Sequence, residues 1–196
     1  MKNVLFLLFA VHAASANAVI DSESFQRKTV PVSEGDLEYV ESSTGGQIED
    51  LIRQDENHQI KWKKPQKLNF GYGASPKWFR MQINNRHPSF VVNYLYPMMQ
   101  VVRMYVVQNH RVAGSAFGGK RLHNELYRGV LLRSDLQGEQ TVFLYLESTG
   151  GFQVPLFIGT PENIQYGITI EYLLLGAWLG IILSLVIYYL IIFVKL

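Results

Sequence analysis

The sequence predicts an all-β domain carried on a single membrane helix, and three observations predict it. Between Leu68 and Ile158, short runs rich in Val, Tyr, Phe and Leu are separated by Gly, Pro, Asn and Asp, which is the punctuation of a β-sandwich or barrel. Within that region the runs alternate: in "KWFRMQIN", Phe79, Met81 and Ile83 fall on one side and Trp78, Arg80 and Gln82 on the other. Finally, Tyr172 to Val194 contains no charged residue and makes roughly 34 Å of helix at ~1.5 Å per residue, enough to cross a ~30 Å hydrocarbon layer.

The elements follow in chain order. Residues 1–18 open with Lys2, continue with an apolar stretch and end in Ala16-Asn17-Ala18, the pattern of a signal peptide cut before Val19. Residues 19–45 are rich in Ser, Thr, Glu and Gly with little periodicity and read as an extended or mobile lead-in. In 47–57, Ile48, Leu51 and Ile52 recur at helical spacing, predicting a short helix lying on the domain. Its acids Glu49, Asp50, Asp55 and Glu56 read as a solvated face. "TVFLYLES" repeats the alternation, with Val142, Leu144 and Leu146 inward and Phe143, Tyr145 and Glu147 outward. "FQVPLFIG" aligns Phe152, Val154, Leu156 and Ile158 on one face, and Pro155, unable to donate to a ladder, points to a sheet edge. "FVVNYLYP" and "VVRMYVV" are strands apolar on both faces. Residues 108–125, full of Gly, Ala and His, read as a loop or hairpin tip, and "LQGEQ" as a tight turn. The domain is bounded at 46–165 and the membrane helix at 168–194.

Composition narrows the chemistry. The chain has no cysteine and a formal charge of +2, which rules out thiolate catalysis and disulfide scaffolding and gives no electrostatic footprint for nucleic acid. The one basic cluster, Lys61, Lys63 and Lys64 around Trp62, reads as a solvated face. His58, His87, His110 and His123 lack metal-ligand spacing. No nucleophile elbow, phosphate loop or dinucleotide fingerprint is present, so neither a catalytic residue nor a cofactor nor a metal is expected. What remains is a binding face. Trp78, Arg80 and Gln82 place an aromatic ring, a charge and an amide on one outward side, the types that recognise a carbohydrate; Tyr105 and Tyr145 extend that face if their strands are neighbours. Alternatively, Trp78 and Arg80 pack on each other or beneath the short helix. In the membrane helix, Gly176, Gly180 and Ser184 recur every four residues and form a strip where backbones can approach closely, for a homodimer or a membrane partner.

Four stretches, "LEYVESSTGGQIEDLI", "NFGYGASPKWFRMQINN", "YPMMQVVRMYVV" and "TVFLYLESTGGFQVPL", resemble in order the type 2 extracellular sensing domain of bacterial seven-transmembrane receptors with diverse intracellular signalling modules. Ser42 stands where an aspartate is common in that family, and Tyr145 where an arginine is common. The resemblance implies a jelly-roll-like sandwich, related in plan to carbohydrate-binding modules, that senses a small ligand outside the cytoplasmic membrane. The family continues with six further membrane helices and a signalling domain, so the expectation is the input end of a receptor, either truncated or a separate subunit. The runner-up is a single-pass anchored protein that holds envelope glycans or another protein.

Overall fold

The computed structural model describes residues 19–42, 47–73, 75–95, 98–120 and 129–195. The expected signal peptide and His123 lie outside the described residues. In chain order the elements are β1 (Val19–Asp21), β2 (Val30–Pro31), β3 (Glu38–Glu41), α1 (Ile48–Glu56), β4 (Asn69–Tyr72), β5 (Lys77–Asn85), β6 (Phe90–Tyr94), β7 (Val101–Gln108), β8 (Arg111–Gly118), β9 (Val130–Ser134), β10 (Gly138–Glu147), β11 (Gly151–Gln153), β12 (Leu156–Gly159) and α2 (Pro161–Lys195).

Two sheets carry the fold. The six-stranded sheet runs β1-β5-β10-β7-β8, with β3 also on the β5 edge, and the four-stranded sheet runs β2-β12-β6-β9. The alternation read from sequence sets their contact. Phe79, Met81, Ile83, Val142, Leu144 and Leu146 from the first sheet meet Phe90, Val92, Tyr94, Leu156 and Ile158 from the second in one buried core, as face-packed sheets require. A two-stranded ribbon of β4 and β11 brings Phe70 and Phe152 onto Phe79, with ring centroids 5.6 and 6.2 Å away. At this end Lys77, only 4 % exposed, lies 3.1 Å from the Glu41 carboxylate and about 5.5 Å from the Phe70 and Tyr39 rings. The ammonium holds the Glu41 carboxyl below its ordinary range.

Three segments differ from the sequence expectation. Residues 19–45, expected to be an extended or mobile lead-in outside the domain, are extended in part but belong to it, supplying three strands: β1 and β3 pair with β5, and β2 with β12. Their irregularly spaced Ile20, Phe25, Val32 and Leu37 are buried, and spacing without a period carries no pattern to read. Residues 111–118, expected within a loop, form β8 paired along β7. Their Gly and Ala content is low in β propensity, yet at Gly118 a Cβ would run into the Val130 side chain of β9, so the close approach of the two strands there favours glycine. At the exit of β8, Gly119 has φ +105° and a Cβ there would come within 2.6 Å of the Gln100 carbonyl oxygen, so this corner requires glycine. Finally, "FQVPLFIG" is two strands. Pro155 separates β11 from β12, which enter different sheets, and β12 sits between β2 and β6 rather than at an edge. All four expected inward residues are nonetheless buried.

The sandwich passes into α2 without a linker. Thr160 follows β12 and caps the helix, its Oγ1 accepting from Asn163 N at 3.3 Å, and Pro161 takes the first helical position, which suits its fixed φ. Asn163 Nδ2 donates to the Gln26 carbonyl at 3.0 Å, and Ile164 is 5 % exposed against the sheet. Beyond this docked turn the helix leaves the domain, and its most apolar 18-residue stretch has a mean hydropathy of 2.6 with no part of that stretch buried in protein. Length and composition make it a membrane span.

Candidate functional site

The outer face of the six-stranded sheet gathers every residue expected to form a binding face. Register puts them in three rows. Val40, Trp78, Tyr145 and Arg103 form one, Glu38, Arg80, Phe143 and Tyr105 the next, and Val19, Gln82, Thr141 and Val107 the third. The strands of Tyr105 and Tyr145 are neighbours, and both rings lie near Trp78, at 6.0 and 5.1 Å between centroids.

Helix α1 covers this face. Ile48, Leu51 and Ile52 share one side of it by spacing, Glu49 and Asp50 occupy its first turn where the helix dipole favours acids, and it ends where Asn57 Nδ2 bonds the Arg53 carbonyl and His58 turns to φ 53°. The apolar side packs on Trp78, Tyr105, Phe143 and Tyr145 as a second buried cluster, with Trp62 closing its flank. Trp78 is 2 % exposed and Tyr145 1 %. Outward on the strand therefore does not mean exposed, and in this arrangement neither ring presents a face to a ligand. Burial raises the hydroxyl pKa of Tyr105, with the Glu49 charge adding to it, and that of Tyr145, with Glu147 adding to it.

Arg80 is not a free outward charge either. Its Nε donates to Glu38 Oε2 at 2.7 Å, and Nη1 donates to both Asp55 oxygens at 2.7 and 2.9 Å. The guanidinium lies 4.5 Å from the Trp62 ring centroid, and Trp62 Nε1 donates to Asp55 Oδ1 at 2.6 Å. The network ties β3, β5, α1 and the Trp62 segment together. It also corrects the reading of Asp55 as part of a solvated helix face, because a carboxylate on a guanidinium beneath a helix is a structural partner. No sequence signal joins positions 38, 55, 62 and 80; an arginine on a face otherwise filled with aromatics is the only hint that partners must exist.

Gln82 lines an opening. At the C-terminal end of α1 a cavity of about 360 Å³ is bounded by Gln82, Thr141 and Phe143 from the sheet, Glu56 from α1, Glu139 from β10 and His110 from the β7–β8 turn. That turn has Asn109 at φ 50° and His110 at φ 62°, the left-handed pair of a tight hairpin. It carries His110 Nδ1 to 2.8 Å from Glu56 Oε1. This contact separates the cavity from a second one of about 380 Å³ bordered by Glu49, Arg53 and Arg111. The first cavity lies at the end of the sandwich from which α2 departs, since β5 ends there, β6 begins there, and Gly159 of β12 pairs with Val91. Sequence reading missed Thr141, Glu139 and His110 as its neighbours, because the loops that bring them together are far apart along the chain. Among the described residues no group of three or more His, Asp or Glu side chains is placed to hold a metal ion.

These features define a β-sandwich module fixed to a membrane span. The chain belongs to the family described as 7TMR-DISM extracellular 2, which its sequence matches over residues 34–160. It is thus the extracellular sensor domain of a membrane receptor type, with one apolar helix directly after it among the described residues. No curated protein gives a significant match to the chain.

Proposed function

We propose that the protein senses a small polyhydroxylated ligand, of the carbohydrate class, in the cavity beside Gln82 and passes occupancy to α2. The sandwich stands outside the cytoplasmic membrane after export and removal of residues 1–18, and the helix crosses that membrane once. The observation that carries this reading is positional. The cavity opens at the end of the domain that holds the first turn of α2, and Asn163 and Ile164 dock that turn on the sheet, so a shift of the loops there reaches the helix without a flexible joint to absorb it. Its lining suits hydroxyl groups, with amide, hydroxyl and carboxylate side chains around Phe143. Trp78, Arg80, Tyr105 and Tyr145 serve the site from beneath, holding α1 in place as its wall.

Binding of neutral mono- and disaccharides to the full chain in detergent, followed by thermal shift and calorimetry, tests this. Gln82→Ala and Thr141→Val are each expected to weaken the best saccharide about tenfold, the loss of one hydrogen bond of ~1.4 kcal/mol, with little change in melting temperature. Absence of any saccharide response, or unaltered wild-type affinity in both variants, would reject the site.

The same reading gives α2 a packing role. Gly176 and Gly180 have nothing within 4 Å of where a Cβ would sit, and Ser184 Oγ turns back to the Gly180 carbonyl at 2.9 Å, leaving a smooth strip on which a second copy or a membrane partner packs. Gly180→Ile is expected to abolish crosslinking between cysteine-tagged helices in membranes, whereas Ile181→Leu leaves it intact. Identical crosslinking in both would reduce the helix to an anchor.

A further inference from the structure

Two strands share one edge of β5. β1 runs parallel with Val19 opposite Gln82, and β3 runs antiparallel with Glu38 opposite Arg80. Their first residues therefore meet head to head across the single position of Met81, roughly 7 Å apart at ~3.3 Å per residue. The backbone nitrogen of Val19 is on the side toward Glu38, because β1 starts there and runs away from it.

The charges at this junction do not balance. Glu38 and Asp55 both bind Arg80, at 2.7 Å each, and their side chains are only 12 % and 23 % exposed. Two carboxylates thus share one guanidinium, and the remaining donor to Asp55 is the neutral indole N–H of Trp62. A net negative charge largely, though not wholly, withdrawn from water is costly unless a cation joins it. The other charged groups facing the junction are Asp36, whose carboxylate accepts from Ser33 N and Oγ, and Lys64, an exposed side chain across a small cleft. From the neighbouring cavity Glu56, Glu139 and His110 also face Val19. Acids outnumber bases.

We propose that the missing cation is the α-ammonium of Val19, created when the export signal is removed, so that processing completes the ion network that holds α1 on the sheet. Water adds across the Ala18–Val19 amide under a signal protease, leaving a carboxylate on Ala18 and an amine on Val19 that takes up a proton at neutral pH. In the uncleaved chain the same nitrogen is a neutral amide. The proposal rests on the export and cleavage proposed above and is independent of the ligand. An unperturbed α-amine titrates at about 7.7–8.0; pairing with Glu38 raises that value in the folded protein. Its stabilisation is complete below the unfolded value and fades as pH rises through the folded one.

The test uses the full chain purified from membranes in detergent. Intact mass identifies the first residue, and trace acetylation of the α-amine across pH, read by peptide mass spectrometry, gives its titration midpoint. The expected result is a chain beginning at Val19 with a proton affinity about tenfold above that of an unperturbed α-amine. Glu38→Gln is expected to lower it about tenfold, and Lys64→Ala to leave it unchanged or raise it. A midpoint of 7.7–8.0 in the unaltered protein overturns the pairing without reliance on any variant, as does a midpoint that Glu38→Gln leaves in place. A chain that begins elsewhere overturns it at the processing step.

Discussion

Phe79→Ala is expected to destabilise the domain by about 3–5 kcal/mol, and Arg80→Ala, one residue on and on the opposite face, by about 3 kcal/mol. The first effect is a cavity. Phe79 is fully buried, and Tyr39, Phe70 and Phe152 all pack on its ring, so its removal opens a void between rings that already pack on one another through Phe70 and have little room to close it. The second effect is electrostatic. Truncation of Arg80 leaves Glu38 and Asp55 facing each other with no guanidinium between them, and it also removes the planar group stacked on Trp62. The figure sits at the low end of the range for broken buried pairs because both carboxylates keep some exposure to water. Alternation alone predicts a loss below about 0.5 kcal/mol for an outward side chain. Denaturant unfolding of both variants measures the difference directly. A near-wild-type midpoint for Arg80→Ala would restore Arg80 to the list of free surface groups.

The contrast shows what a sequence of this kind discloses. Period-2 patterning sorted β5 and β10 correctly into two faces, since each strand's inward set reappears in the core between the sheets. Helical spacing likewise found α1 and its apolar side, and the charge-free apolar run from Tyr172 found the membrane-crossing part of α2, which itself begins eleven residues earlier at Pro161. What alternation could not show is a third layer. Whether the outer face of a sheet meets water depends on what another segment lays over it, and α1 reaches that face through Ile48, Leu51 and Ile52 from about thirty positions upstream of β5, as the sequence numbering shows. The same limit hid β1 and β3. Their residues look like a polar lead-in because strands this short hold by backbone pairing to β5 and by single buried anchors such as Ile20 and Leu37, neither of which leaves a periodic trace. Polar partners were the least legible. Arg80 finds Glu38, Asp55 and Trp62 at separations of 42, 25 and 18 positions, and charge patterning in a helix or strand reports only neighbours a few residues away.

Trp78→Ala is expected to cost about 3–5 kcal/mol and, more tellingly, to loosen α1 while leaving the core between the sheets in place. Trp78 lies at the centre of the outer cluster: Tyr145 and Tyr105 flank its ring at 5.1 and 6.0 Å, and the apolar side of α1 closes over the same cluster. An aromatic of this size is the largest single contribution to that contact, and α1 is a helix of nine residues, too short to persist without its packed face. Loss of the indole therefore falls first on the helix. Amide exchange in Ile48–Glu56 should accelerate far more than exchange in β10 or β6, whose inner faces pack on the other cluster. A ligand-stacking role makes the opposite forecast: saccharide binding disappears while melting temperature and α1 exchange remain at wild-type values. Exchange in α1 thus separates the two roles, and a variant that keeps its protection there would show that Trp78 is not what fastens the helix to the sheet.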